Sequence, residues 1–177
     1  MKLLITVFLA LCAFRFFISC NGAYRPILPA MENMTLYLVG YSSELKDPLW
    51  WCANSTYINE TSGWVYRNVT TAYKHNEEWL QRNITIKVTT QSHNLILRVG
   101  PPESLPWLHA KSRYLVRHYS KDSLLLSDEI ESMRNLTNAC SLWATSYNLS
   151  AIPEYTNRSF QALCNNPVYA NFSLPCL

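Results

Sequence analysis

Apolar and polar residues alternate with a period of two along much of this chain. In residues 83–90, Ile84, Ile86 and Val88 share one face, while Asn83, Thr85 and Lys87 share the other. Residues 64–73 alternate in the same way, and β-like runs recur at 35–41, 49–57, 94–99, 113–119, 123–127 and 139–144. Turn residues separate these segments. Eight short strands at such spacing predict an up-and-down barrel or a sandwich. After Pro153 the period changes. Phe160, Leu163 and Cys164 recur at helical spacing, Pro153 suits a first helical position and Glu154 favours the helix dipole. One helix is therefore expected after the strands.

The N-terminus has a different character. Lys2 precedes an apolar run over residues 3–14, then Arg15, and small residues at Ser19, Cys20, Gly22 and Ala23. This order predicts a secretory signal peptide over residues 1–23, followed by one domain over 24–177. A membrane anchor would need about 20 uninterrupted apolar residues, and Arg15 breaks the run. Cleavage near Gly22 or Ala23 removes Cys12 and Cys20 and leaves Cys52, Cys140, Cys164 and Cys176. An even count in a secreted chain suits two disulfides, for which sequence permits three pairings.

Asn-x-Ser/Thr sequons begin at Asn33, Asn54, Asn59, Asn68, Asn83, Asn135, Asn148, Asn157 and Asn171. Their density predicts a heavily glycosylated secreted protein, with each modified asparagine facing solvent. The Asn83 sequon thus places its face outside and Ile84, Ile86 and Val88 in the core.

Composition narrows the functional classes. With 4 glycines and 11 tyrosines the chain favours strands, and its length suits one domain with a sizeable core. Loss of Lys2 and Arg15 with the signal leaves 13 basic residues against 12 acidic ones. No basic stripe for nucleic acid is present, and neither a nucleic acid nor a membrane is expected as a partner. There is no Gly-x-Ser-x-Gly elbow, His-Glu-x-x-His site or phosphate loop. His75, His93, His109 and His118 lie on separate segments without metal-ligand spacing. A monomeric binding protein without cofactor or metal is expected, not an enzyme.

The most specific segment is the last third. Cys140-Ser141-Leu142-Trp143 is followed by Ile152-Pro153, Phe160, Cys164, Tyr169 and Cys176. With Cys52 and the Tyr119-Ser120-Lys121-Asp122 turn, this order resembles the tick salivary lipocalins, the histamine-binding-protein family. The resemblance implies an eight-stranded antiparallel lipocalin (calycin) barrel with a C-terminal helix packed outside it. By analogy the bridges are Cys52–Cys176 and Cys140–Cys164. Six-cysteine members carry a further bridge, whose neighbourhoods here hold Ser123 and Tyr155-Thr156.

The same resemblance assigns candidate ligand residues. If Cys140 faces the helix, Ser141 and Trp143 face the cavity. In the histamine binders this motif supplies a carboxylate and a tryptophan that attract an ammonium group; here the carboxylate is replaced by Ser141. Asp47-Pro48-Leu49-Trp50 resembles a second amine-binding element, so Asp47 either supplies the missing charge or begins a turn at Pro48. Trp50 and Trp51 alternate faces, so one of them can line the pocket. Arg117 would suit a carboxylate ligand if it points inward and surface acids if outward. Tyr114, Tyr37, Tyr41, Trp64, Tyr66 and Trp107 either line a cavity or form plain core, and Glu77, Glu78 and Trp79 read as a solvated turn or a mouth segment.

Two functions are implied. The first is sequestration of a small host mediator in the barrel, namely histamine, serotonin or an eicosanoid such as a leukotriene. The alternative is blockade of a host defence protein, such as a complement component, through the loops.

Overall fold

The computed structural model describes residues 27–45, 51–93, 95–128, 139–170 and 172. The predicted signal segment, Asp47, Trp50, Cys176 and the sequons at Asn135 and Asn171 lie outside the described residues. The strands are β1 (Leu36–Ser42), β2 (Trp51–Thr61), β3 (Trp64–His75), β4 (Glu78–Gln91), β5 (Ile96–Gly100), β6 (Arg113–Tyr119), β7 (Ser123–Ser127) and β8 (Cys140–Ala144). Helix α1 (Glu154–Leu163) and a short β9 (Pro167–Tyr169) follow.

Consecutive strands pair antiparallel from β2 to β8, β8 pairs with β1, and β1 returns to β2. The ring closes as an eight-stranded barrel, which removes the free edges of an open sheet. This meander puts the β1–β2, β3–β4, β5–β6 and β7–β8 connections at one end, the mouth. The other connections and the segment leading into β1 lie at the base, where a 3-10 turn over Pro29–Met31 places Leu28 and Ala30 in the interior core.

The alternation in the sequence sets the two sides of the wall. Ile86 and Val88 are buried inside, with Ile84 packed against them, while Asn83 and Thr85 are exposed. None of the described sequon asparagines is buried. Strand β7 departs from alternation because both of its faces are covered. Leu124 and Leu126 enter the interior core, and Leu125 joins an outer cluster with Val39, Leu142 and Phe160 beneath α1. Cys140 points to this outer side and is disulfide-bonded to Cys164, with Cα atoms 5.4 Å apart. Cys52 is also disulfide-bonded; its expected partner, Cys176, lies outside the described residues.

Helix α1 sits close because Gly40 leaves room for it. A Cβ at Gly40 would fall 2.9 Å from the Phe160 ring. Full burial of a phenylalanine contributes about 1.5–3 kcal/mol, so this contact helps to fix the helix. Pro153 sits just outside α1 as its N-cap, and not at its first turn as expected.

The start of β4 and a ninth strand differ from expectation. Strand β4 starts at Glu78, well before residue 83, and pairs with β3 up to His75↔Glu78. This upper hairpin is exposed on both faces from Glu78 to Gln81, so no apolar alternation marks it. Its turn is only Asn76-Glu77, both with positive φ (48° and 68°), as two-residue hairpin turns require. Glu78 and Trp79 are therefore strand residues. A ninth strand, unmarked by the sequence pattern, adds to the wall: β9 pairs with Gly40, Tyr41 and Ser42 of β1, beyond Leu36 and Tyr37, which pair with β2.

Candidate functional site

The barrel encloses a cavity of about 100 Å³, well above the roughly 10–15 Å³ that one water needs. Its wall is mostly aliphatic: Leu36, Val69, Ile86, Val88, Leu97, Val99, Leu124 and Leu126 come from β1, β3, β4, β5 and β7. From the mouth, Leu108 and Ala110 of the β5–β6 connection reach the same space. Polar groups in the lining are Ser55, Arg67, Thr71, Tyr114 and Ser141, with the indole of Trp143.

Arg67 lies on the inward face of β3 between Val65 and Val69 and is 1% exposed. Its Nε donates to Ser55 Oγ at 2.9 Å, Nη1 to the carbonyls of Ala30 and Glu32 at 3.2 and 3.1 Å, and Nη2 to those of Met34 and Ser55 at 2.5 and 2.8 Å. A guanidinium has five N–H donors, and five bonds are made. Burial lowers its pKa to about 10, still far above neutrality, so the group stays charged. Arg67 thus fastens the entering chain to the base and keeps no donor for a ligand.

Ser141 and Trp143 face the cavity, as strand parity requires once Cys140 is turned to the helix. The Trp143 Nε1–H donates to Ser141 Oγ at 3.1 Å, which leaves the serine proton available to a ligand. Tyr114 also lines the cavity, and its hydroxyl accepts from the Lys111 backbone N–H at 2.8 Å. Burial pushes the Tyr114 phenol up, that hydrogen bond opposes the shift, and the charge of Asp128 adds to it.

Arg117 does not line the cavity. Tyr114 and Val116 are the inward residues of β6, and the register slips between Val116 and His118, which leaves Arg117 as the extra residue of a bulge. Tyr37 is likewise on the outside, edge-on to Tyr147 and Phe172. Trp64 meets the Lys87 ammonium at 5.0 Å and is not a lining residue. Asp47 and Trp50 lie outside the described residues.

Arg67 is absent from the candidates that sequence pattern singles out. A signal is nonetheless present, since Val65-x-Arg67-x-Val69 sets a cation on the apolar face of a strand. Thr71 follows on the same face.

A closed antiparallel barrel with an outer helix and an apolar interior is a lipocalin, a carrier fold and not an enzyme. No protein-family model matches the chain. Japanin from Rhipicephalus appendiculatus is 34% identical over 153 residues, 85% of each chain. Japanin-like-RS from Rhipicephalus sanguineus is also 34% identical over 153 residues. The solved structure of Japanin bound to cholesterol matches with a TM-score of 0.75 at 35% identity, covering 85% of this chain and 100% of that one. An AM182 complex with serotonin matches at a TM-score of 0.51 and 14% identity, which concerns the fold alone. The chain belongs to the tick salivary lipocalin family. Among the described residues no helix is long and apolar enough to cross a membrane.

Proposed function

We propose that residues 24–177, released from the 1–23 signal segment as a secreted glycoprotein, capture a small lipid mediator in the barrel. The observation that carries this reading is the charge state of the cavity wall. Its described lining includes no carboxylate, and its one cation, Arg67, has every donor engaged within the protein. An ammonium ion entering such a site would lose hydration without a counter-charge, at a cost of several kcal/mol. An apolar body would instead gain about 25 cal/mol per Å² removed from water. The cholesterol bound to Japanin supports the same class of occupant, and an eicosanoid tail meets the same requirement. Stoichiometric capture needs no turnover.

Titration of the secreted glycoprotein with cholesterol, leukotriene B4, histamine and serotonin tests this reading by calorimetry or by tryptophan fluorescence. Saturable lipid binding without amine binding is expected. Amine binding that disappears on Asp47→Asn would restore the histamine-type reading. Binding of none of the four would turn attention to blockade of a host defence protein.

A further inference from the structure

Above the cavity, at the mouth, Arg82 of β4 is placed differently from Arg67. It is the direct cross-strand partner of Thr71, so the two side chains rise from the same inner face of the wall. The Arg82 guanidinium stands 5.3 Å from the Tyr73 ring centre and 5.7 Å from that of Trp107. Arg82, Pro106, Trp107 and His109 line an open cleft there. The next residue along the β5–β6 connection, Leu108, reaches down into the cavity. Cleft and cavity are thus neighbours: Trp107 of the cleft adjoins Leu108 of the cavity in sequence, and Arg82 of the cleft pairs across the sheet with Thr71 of the cavity.

Two features are unexplained by folding alone. Arg82 is half-buried, but its side chain makes no ion pair or hydrogen bond with any described residue. The nearest acid on its own face of β4, Glu78, is four residues away, about 13 Å along a strand. Trp107 is 65% exposed, so burial does not account for its position over the guanidinium. Cation–π contact with two rings holds a guanidinium without using its N–H donors, which can then receive a planar or tetrahedral oxyanion. Directly across the strand pair from Arg82, Thr71 is in the cavity wall, and its hydroxyl likewise has no hydrogen-bond partner among the described residues.

We infer that the mouth is an anion-recognition site formed by Arg82 with Tyr73 and Trp107 beside it, which selects an amphiphile with an apolar body in the barrel and an oxyanion head at Arg82. This rests on the lipid reading of the cavity and refines it. Carboxylate and sulfate heads share the necessary chemistry; a long-chain fatty acid and a sulfated sterol are the two sources.

The test compares matched pairs on the intact secreted glycoprotein: arachidonate against its methyl ester, and cholesterol sulfate against cholesterol, by calorimetry. Removing the head-group charge abolishes a charge-assisted hydrogen bond to Arg82, which is expected to cost about tenfold or more in affinity. The anionic member of at least one pair should therefore bind more tightly by that factor, and the pair that discriminates identifies the source. Arg82→Gln should bring the discriminating pair to within about twofold and leave the uncharged member's affinity unchanged, which also shows that the variant is folded. Equal affinities within both pairs, or discrimination that survives Arg82→Gln, would overturn the inference while leaving the lipid reading intact. Binding of none of the four lipids would overturn both.

Discussion

Ser123 Oγ on β7 lies 2.9 Å from Thr156 Oγ1 on α1, with both side chains fully buried. These are the neighbourhoods in which six-cysteine relatives are expected to carry an additional bridge, so a hydroxyl pair joins strand to helix where a disulfide would. Ser120 Oγ extends the chain at 2.8 Å from Ser123 Oγ. The double variant Ser123→Cys/Thr156→Cys should form a disulfide, detected as a 2 Da mass loss relative to the reduced form. A loop of 33 residues contributes about 3–4 kcal/mol in the chain-entropy model. Thermal unfolding of the oxidised variant should rise accordingly. Free thiols in the folded double variant would show that the two positions are not in bridging geometry.

Arg67 holds four backbone carbonyls and one hydroxyl in place at the base. Arg67→Met keeps the bulk and removes all five donors, leaving buried acceptors without partners. A loss of roughly 3–5 kcal/mol is expected in urea unfolding, with early proteolysis in the segment before β1. The arginine adds no pH dependence near neutrality. Its folded pKa of about 10 lies below the ordinary arginine value, so the unfolded chain binds more protons only between the two, and stability would rise with pH there alone. A change below about 1 kcal/mol in Arg67→Met would show that water replaces the guanidinium at no cost.

The contrast between Arg67 and residues 83–90 shows what was legible in this chain. In the latter, one wall face is solvated and the other buried, so the pattern itself reports the fold. Arg67 breaks that pattern, because its charge is satisfied by carbonyls from a segment more than thirty positions away. The start of β4 was hidden for another reason: its hairpin stands clear of the core and has no buried face to mark. Ser141 and Trp143 could be placed because Cys140 fixed the parity of their strand. Arg117 could not, because apolar and polar residues are mixed on both faces of its strand and no cysteine fixes which face is inward.

Gly40 permits the approach of α1 to the barrel. Gly40→Val places branched carbon atoms within 2.9 Å of the Phe160 ring, so the fully buried ring must shift. Overpacking of this kind costs about 1–3 kcal/mol. The variant should unfold at lower temperature, and reduction of the Cys140–Cys164 bridge should become faster. Wild-type thermal stability in Gly40→Val would mean that α1 shifts freely over the outer cluster.

Ser141 gives the sharpest test of ligand class, since the resemblance assigns its position to a carboxylate in amine-binding relatives. The side chain faces the cavity beside the Trp143 indole, so Ser141→Glu would set an anion and an aromatic face together within one barrel. A desolvated ammonium gains about 2 kcal/mol from an indole face and more from a paired carboxylate. Ser141→Glu should therefore acquire histamine or serotonin affinity that the wild type lacks, measured by calorimetry. The same variant should lose affinity for apolar lipids and be less stable without ligand, because the new carboxylate is buried among aliphatic residues. Amine affinity equal in wild type and variant would mean that another acid already serves the cavity, and Asp47→Asn would then remove it. A variant that stays folded yet binds no amine would show that the cavity beside Trp143 is closed to an ammonium ligand even when its charge is matched.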